Sequence, residues 1–321
     1  MKISVALCTY NGEKFLKKQI DSILSQTIKV DEIVVCDDRS QDGTHDILNG
    51  YQSQYPDVFR VFINDENLRS VKNFEKAISK CTGDLIFLSD QDDIWIPEKV
   101  EIFIDHFDKN PELSVLASNG FVINDQDEVL DVLTIWDVVT FLHKKISALN
   151  YYEIINISGN IATGATMAIK REFIAKTLPF PSIPGFHHDE WIALVASLEH
   201  QFDFLDVKTI YYRKHDAQQV GGIFYENTPK RKKSLIDFFT PDFDERSFRN
   251  YKFLLKRVSN TYHKNKNLYE SATVKKEFFR ENLEYFRMLF FKLRKEMKDE
   301  YPVKTYFLDI ADRINKKRQL D

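Results

Sequence analysis

Short apolar runs alternate with amphipathic segments through the first 90 residues of this 321-residue chain. Each apolar run holds five or six residues, which suits a strand, and the segments between the runs repeat apolar side chains at helical spacing. This alternation is typical of strand–helix–strand units, whose parallel strands are covered on both faces of the sheet. The pattern predicts an α/β fold with strands at 3–7, 32–36, 58–63 and 84–88.

The remainder of the chain is less regular. A later helix is predicted where Ile192, Val195 and Leu198 share one face. Beyond about residue 230, apolar residues recur at helical spacing as far as Met297, which predicts a helical C-terminal region. Further strands are predicted at 115–122, 129–133, 165–169 and 209–212.

Charge is distributed unevenly along the chain. Residues 226–321 hold 24 basic and 15 acidic residues, a balance of +9, whereas residues 1–225 hold 21 and 34, a balance of −13. This asymmetry predicts two regions with different functions, which we place at 1–228 and 229–321. The acidic first region argues against nucleic-acid binding, which depends on a basic surface.

The cysteine content and the hydropathy pattern bear on the compartment. Cys8, Cys36 and Cys81 lie in or beside apolar segments, and an odd number of separated cysteines suits a reducing environment. The sequence has neither a signal-like N-terminal segment nor an apolar stretch near the roughly 18 to 20 residues that span a bilayer. We therefore expect a cytoplasmic protein.

Polar clusters follow the first, second and fourth predicted strands, at 9–12, 37–44 and 89–93. Ligands of open parallel sheets collect at the carboxyl ends of the strands. The three loops are therefore predicted to face one crevice.

The first two clusters also have local explanations. The Asn-Gly pair at 11–12 fits a turn ahead of a helix, and Asp42 or Thr44 fits a helix N-cap. Neither explanation accounts for Asp37 and Asp38, because adjacent carboxylates repel each other unless a partner is present.

The acidic run after the fourth strand is harder to explain as an ordinary loop. Asp90, Asp92 and Asp93 directly follow the apolar run 85–88. Oxygen ligands without nearby cysteine or histidine suit a hard divalent ion such as Mn²⁺ or Mg²⁺, which keeps waters and bridges to substrate phosphates. No glycine-rich dinucleotide fingerprint, phosphate-binding loop, nucleophile elbow or zinc-protease motif competes with this interpretation.

With these residues the chain resembles glycosyltransferase family 2, inverting enzymes with the GT-A nucleotide-sugar fold. The segment 4–11, the Asp-Asp-x-Ser-x-Asp-Gly-Thr signature at 37–44 and the Asp-Gln-Asp-Asp-Ile-Trp-x-Pro signature at 90–97 are similar to the family's motifs in order and spacing. The resemblance implies an α/β fold whose mostly parallel central sheet is flanked by helices and followed by the helical region. It also implies a nucleotide-sugar-binding half at 1–100 and an acceptor half at 101–228.

The resemblance further implies roles for individual residues. Thr9 and Asp38 would contact the nucleotide, Asp38 through the base, while Asp90 and Asp92 would carry the metal with Asp93 beside them. The residues assigned to sugar-nucleotide binding are Thr9, Tyr10, Asn11, Asp37, Asp38, Asp90, Arg213 and His215.

The family's catalytic base is a carboxylate at the start of a later helix, a position that the segment 187–191 occupies here. We assign Asp189 as the base and keep Glu190 as the alternative, because the usual Glu-Asp order is not kept. An acidic residue there is also explained by the helix dipole alone. In the implied mechanism the base deprotonates an acceptor hydroxyl, and the metal offsets charge on the departing nucleoside diphosphate.

Arg213 and His215 follow the last predicted strand and are candidates for contact with the diphosphate, with a surface histidine as the alternative. Similar Arg-x-His segments, and the same form of the metal signature, occur in family members thought to transfer rhamnose. The resemblance thus implies a hexosyltransferase, and the rhamnosyltransferase branch of the family is a candidate. It would move sugar from a UDP- or dTDP-sugar to a glycan or lipid-linked acceptor in cell-surface polysaccharide synthesis.

Other interpretations stay open. A nucleotidyltransferase that makes sugar nucleotides would usually carry a glycine-rich, arginine-containing loop after the first strand, and this chain has none there. A non-catalytic sugar-nucleotide-binding module is the second alternative. The basic, apolar tail is compatible with peripheral contact at the inner face of the membrane, with dimerisation, or with a solvated helix face.

Overall fold

The computed structural model describes residues 1–146, 148–215, 223–240 and 247–320. The strands are β1 (Ile3–Thr9), β2 (Glu32–Asp37), β3 (Phe59–Ile63), β4 (Leu85–Ser89), β5 (Ile94–Trp95), β6 (Val115–Ile123), β7 (Val132–Thr134), β8 (Met167–Lys170), β9 (Phe202–Arg213) and β10 (Phe224–Glu226). Eight of them form one sheet in the order β3-β2-β1-β4-β8-β6-β9-β5, and β7 pairs with β10 in a separate ribbon.

The helices cover this sheet and then continue as the C-terminal region. They are α1 (Leu16–Leu24), α2 (Thr44–Gln54), α3 (Arg69–Lys80), α4 (Lys99–Lys109), α5 (Ile135–His143), α6 (Tyr151–Glu153), α7 (His188–Leu198), α8 (Pro229–Phe239), α9 (Phe248–Ser271), α10 (Lys276–Glu300) and α11 (Pro302–Asn315). A π-turn, Ile154–Ser158, directly follows α6.

β1 lies between β2 and β4 in the parallel half of the sheet, and every one of its residues is buried. Its aliphatic sequence suits a strand that is covered on both faces. The register pairs Thr9 with Asp37 on one side and Leu7 with Ser89 on the other. The loops after β1, β2 and β4 therefore begin at the same edge of the sheet, as the sequence predicts.

The other half of the sheet reverses direction. β8 runs antiparallel to both β4 and β6, while β6 pairs in parallel with β9. The two-residue strand β5 pairs antiparallel with the end of β9, so that Ile94 lies opposite Tyr211. This pairing brings the acidic run next to the residues that follow Tyr211. Four of the seven neighbouring pairs are parallel, so the sheet is mostly parallel.

Three helices, α4, α5 and the three-residue α6, are absent from the sequence-based prediction. The sequence of α5, with isoleucine, valine and threonine at four of nine positions, is typical of a strand by composition. A capping box starts the helix instead, because the Thr134 hydroxyl accepts from the Asp137 backbone and the Asp137 carboxylate accepts from the Thr134 backbone. The local cap outweighs the intrinsic preference.

The C-terminal helices build a second apolar core and also join the first. Leu255 of α9 packs with Phe290 and Met297 of α10 in the second core, whereas Leu268 and Phe279 belong to the core under the sheet. The helical C-terminal region is therefore anchored on the α/β part, and its separation as a domain at residue 228 stays a prediction. Within the described ranges, no helix is both long and apolar enough to cross a membrane.

Candidate active site

A cavity of about 630 Å³ opens where the loops after β1, β2 and β4 meet. This volume lies in the range of small-molecule sites. The cavity is lined by seven of the residues singled out in the sequence, namely Thr9, Tyr10, Asn11, Asp38, Asp90, Asp92 and His215. The other five do not line it; they are Asp37, Asp93, Asp189, Glu190 and Arg213.

Gln91 joins the first loop to the acidic run. Its side-chain oxygen accepts from the Tyr10 backbone nitrogen at 2.7 Å, and its side-chain nitrogen donates to the Tyr10 carbonyl at 2.9 Å. Gly12 leaves room for this bridge, since a Cβ there would lie 2.3 Å from Gln91 Oε1. The Asn-Gly pair thus forms a turn and also leaves space for the Gln91 hydrogen bonds that connect two loops of the cavity.

We expect Gly12→Ala to displace Gln91 and break both hydrogen bonds to Tyr10. The loss should cost about 1–3 kcal/mol of unfolding free energy. Chemical denaturation measures the cost, and Gly50→Ala is the control, because its Cβ meets nothing within 4 Å on an exposed helix position. The control should stabilise by about 0.5–1 kcal/mol. Full additivity of Gly12→Ala with Gln91→Ala would contradict the bridge.

The Asp37 carboxylate forms hydrogen bonds within the protein and does not line the cavity. Its carboxylate accepts from the Thr9 hydroxyl, the Ser40 backbone and hydroxyl, and His45 Nε2, at 2.6–2.9 Å. Burial alone would raise the pKa of Asp37, but these hydrogen bonds hold it below its usual value. The residue is fully buried and shapes the loop that carries its neighbour.

Asp38 faces the cavity and is held rigidly. Its Oδ1 accepts from Asn64 Nδ2 and the Leu68 backbone nitrogen, and its Oδ2 accepts from the Arg69 backbone nitrogen, at 2.7–2.8 Å. The repulsion expected between Asp37 and Asp38 is thereby resolved, because each carboxylate has its own set of donors. The start of α3 thus helps to form one end of the cavity.

The three carboxylates of the acidic run point to different places. Asp92 Oδ2 lies 2.8 Å from His215 Nε2, and both side chains line the cavity with Asp90. Asp93 is buried behind them, where one oxygen accepts from the Arg213 backbone nitrogen at 3.0 Å. Its other oxygen has no hydrogen-bond partner among the described residues. Burial and then Asp92 raise the pKa values of Asp90 and Asp93.

Arg213 fastens the acidic run to a neighbouring turn. Its guanidinium donates from Nε to the Asp92 carbonyl at 2.8 Å and from Nη1 to the Asn124 carbonyl at 2.7 Å, and it pairs with Asp127. The side chain is completely buried and does not line the cavity. It supports the acidic loop from behind.

A buried lysine lies close to the same carboxylates. Lys99 Nζ donates to the Ala165 carbonyl at 2.7 Å and lies over the Trp95 ring. Burial lowers the pKa of Lys99 to about 7, against the opposing influence of Asp93 and Asp90. Lys99 is not among the residues singled out in the sequence, because the sequence-based prediction does not include α4, which begins at Lys99.

No group of three histidine, cysteine or acidic side chains in the described parts of the chain is close enough to hold a metal ion unaided. A Mg²⁺-type ion, however, often takes only one or two carboxylates and completes its shell with water and substrate phosphate. Asp90 and Asp92 offer such a pair, both on the cavity wall. The donor set thus fits a metal that arrives with a phosphate ligand.

Asp189 is the second residue of α7 and lies close to the acidic run. Its oxygens accept from the Gly164 backbone nitrogen at 3.1 Å and the Glu190 backbone nitrogen at 2.6 Å. Burial raises the pKa of Asp189 to about 6, and the charge of Asp189 in turn contributes to the raised pKa of Asp90. Glu190 points elsewhere, because its carboxylate is paired with Lys264 of α9.

Two aromatic contacts complete this end of the site. Tyr212 lines the cavity, and burial followed by the charges of Asp93, Asp90, Asp92 and Asp189 raises the pKa of its hydroxyl. His188 is buried with its ring stacked on Phe74, at a centroid distance of 4.1 Å, and burial lowers its pKa to about 3. Neither role is visible in the sequence, since both depend on packing between distant segments.

The chain is similar in sequence to known proteins. A family profile described as glycosyl transferase family 2 matches residues 4–178. The chain is 34% identical over 124 residues to a protein of Bacillus subtilis named putative glycosyltransferase EpsE, covering 39% of this chain and 45% of that one. It therefore spans less than half the length of this relative.

Solved structures share the overall fold. Residues 1–349 of S. aureus TarS in complex with UDP-GlcNAc align with a TM-score of 0.54 at 17% identity, covering 89% of this chain and 71% of that one. The mannosyltransferase PcManGT from Pyrobaculum calidifontis in complex with GDP-Man and Mn²⁺ aligns with a TM-score of 0.51 at 16% identity, covering 97% and 75%. The GT-A fold expected from the sequence is confirmed.

Proposed function

The chain belongs to glycosyltransferase family 2, and we propose that it transfers a sugar from a nucleoside-diphosphate sugar to an acceptor hydroxyl with inversion at the anomeric carbon. The observation that carries the proposal is a cavity of about 630 Å³ whose wall holds both Asp90 and Asp92, with Asp189 near enough for its charge to raise the pKa of Asp90. A phosphate-handling pair and a separate carboxylate base are the groups that a single displacement requires.

The donor extends across the cavity in this proposal. The nucleobase lies at the end formed by Asp38 and the start of α3, and the diphosphate lies at Asp90 and Asp92. Thr9, Tyr10 and Asn11 form the wall between these ends. Residues 1–100 then bind the donor, and residues 101–228 supply the base and receive the acceptor.

Asp90 and Asp92 would hold Mn²⁺ or Mg²⁺ together with the donor's diphosphate. Two crowded carboxylates suit this role, because the charge of Asp92 raises the pKa of Asp90 and a cation would relieve that repulsion. When bound, such an ion offsets the negative charge that develops on the departing diphosphate. The mannosyltransferase that shares the fold was solved with Mn²⁺ and a nucleotide sugar.

Asp189 is the general base in this proposal. The acceptor oxygen bonds to the anomeric carbon while the bond from that carbon to the diphosphate oxygen breaks, and the hydroxyl proton passes to Asp189. Glu190 is the weaker candidate, since its carboxylate is paired with Lys264. Among the described residues, in contrast, the donors to Asp189 are two backbone nitrogens.

Transfer should depend on pH through Asp189. The base acts as a carboxylate, so transfer is lost as the pH falls through its raised pKa of about 6. We expect kcat/KM to decline about tenfold per pH unit below that value and to level off above it. A profile recorded from about pH 4.5 to 8 that stays flat across this range would argue for another base.

The finer identity of the substrates follows the family resemblance. We infer a hexosyltransferase acting in polysaccharide synthesis, with UDP- and dTDP-sugars, including the rhamnose donor, as first candidates. The acceptor is a hydroxyl of a glycan or of a lipid-linked oligosaccharide. GDP-sugars belong in the same comparison, because one protein of this fold was solved with GDP-Man.

A calorimetric screen of UDP-, dTDP- and GDP-sugars with Mn²⁺ or Mg²⁺ tests the proposal. One donor class should bind in a metal-dependent manner and release its nucleoside diphosphate when a mixture of glycan acceptors is added. Failure of every donor to bind would reject the donor site. Binding without release for any acceptor would favour a non-catalytic binding module.

A further inference from the structure

The last helix, α11, turns its large apolar side chains away from the protein. Val303, Phe307, Ile310 and Ile314 follow one another at helical spacing and are 68%, 64%, 41% and 75% exposed. The opposite face, with Thr305, Leu308 and Asp312, is buried against the other helices. We call Val303, Phe307, Ile310 and Ile314, together with the exposed Tyr306, the outer face of α11.

This arrangement is the reverse of an ordinary surface helix, whose apolar stripe points inward. The neighbouring helix α10 adds the exposed side chains Tyr285, Met288 and Phe291, spaced three residues apart. Contiguous exposed apolar surface on a folded protein marks a site of interaction. The outer face of α11 therefore has the composition of a surface that is covered in use.

The charges on the segment that carries this face are mostly positive. Residues 302–320 hold five basic and two acidic residues. Both carboxylates are already paired, Asp309 with Arg294 and Asp312 with Arg318. Within the described residues, the remaining cations of this segment have no carboxylate partner; they are Lys304, Arg313, Lys316 and Lys317. The apolar face is thus flanked by uncompensated positive charge.

These charges decide what covers the face. A two-fold contact with a second copy of the chain would bring the four free cations towards an identical set, which is unfavourable. An anionic lipid surface offers apolar depth for the outer face and negative charge for the flanking lysines and arginine. α11 has 14 residues, fewer than the roughly 20 that span a bilayer, so the contact is one that lies along the interface.

We propose that α11 is a membrane-surface helix, which lies in the interface of an anionic bilayer with Val303, Phe307, Ile310 and Ile314 inserted among the lipids. The free cations hold the headgroups while the buried side of α11 stays attached to the second apolar core. The proposal concerns attachment and does not depend on the activity assigned to the cavity.

Flotation of the full chain with lipid vesicles tests this attachment. The chain should float with vesicles of phosphatidylcholine and phosphatidylglycerol, float poorly with phosphatidylcholine alone, and be released by high salt. Phe307→Ser combined with Ile314→Ser should lower the partition coefficient at least about tenfold, since two large apolar side chains are lost. The matched control combines Ile63→Ser and Val207→Ser, two exposed apolar positions on the sheet, and should bind as wild type does.

The substituted side chains are exposed, so all variants should keep the thermal transition of the wild type. Absence of binding to anionic vesicles would overturn the proposal, as would equal binding by the α11 variant. A dimer in light scattering that the α11 substitutions dissolve would assign the face to a second copy instead and equally overturn it.

Discussion

Asp189→Asn is expected to lose glycosyl transfer by about 10²–10⁴-fold while donor binding stays unchanged. The substitution keeps the size of the side chain and one of its two acceptor oxygens, so one of the hydrogen bonds from the Gly164 and Glu190 backbone nitrogens can remain. It removes the group that takes the acceptor proton. Transfer is measured as metal-dependent release of nucleoside diphosphate in the presence of acceptor, and donor affinity is measured by calorimetry.

The matched control for this variant is Asp105→Asn. Asp105 lies on the exposed side of α4, and its partner among the described residues is Lys109, so its loss should leave transfer and donor affinity as in wild type. Retained transfer by Asp189→Asn would move the base elsewhere, with Glu190 as the next candidate. Lost donor binding in that variant would instead place Asp189 in the donor site itself.

Asp92→Asn is expected to remove the metal-dependent part of donor binding, lowering affinity in the presence of Mn²⁺ by at least about 100-fold. Asparagine still reaches His215 as a hydrogen-bond partner, so the loop should keep its shape. The negative charge that a divalent ion needs is lost. Affinity without metal should remain close to that of wild type without metal.

The comparison with and without metal is the internal control for this second variant. A purely structural defect would weaken donor binding under both conditions, whereas a lost metal ligand weakens it only when metal is present. If Asp92→Asn binds donor with Mn²⁺ as tightly as wild type, the acidic run is not the metal site.

The donor half of the site follows from sequence because it is built from local rules. Strands buried on both faces read as short apolar runs, and parallel strands must end at one edge of the sheet. Thr9, Asp38 and Asp90 therefore meet for reasons that the pattern of the first 90 residues already contains. The residue types are informative as well, because neighbouring carboxylates are stable only where a cation or hydrogen-bond donors compensate their charge.

The other half of the site depends on strand pairings that no local sequence pattern predicts. β5 is only two residues long, yet its antiparallel pairing with β9 places Arg213 behind the acidic run and Tyr212 on the cavity wall. The sequence makes Arg213 a candidate for contact with the diphosphate, together with His215, because both follow the last predicted strand. In the structure its guanidinium donates to the Asp92 carbonyl and pairs with Asp127, and its contact with the diphosphate stays a prediction.

The C-terminal helices reach further into the site than their distance along the chain suggests. Lys264 of α9 donates to the Ile155 carbonyl and pairs with Glu190, next to the proposed base. Asn282 of α10 donates to Tyr152 at 2.6 Å, close to the same π-turn. Membrane attachment through α11 would thus be linked by a continuous scaffold to the segment that carries Asp189.

The most direct test of the account is the anomalous scattering signal of Mn²⁺ in a crystal of the chain grown with Mn²⁺ and its nucleoside-diphosphate sugar. The account predicts one manganese peak beside the carboxylates of Asp90 and Asp92, with the diphosphate on its other side and the nucleobase towards Asp38. A nucleotide ordered in the same crystal at another surface, with no manganese at Asp90 and Asp92, would contradict it.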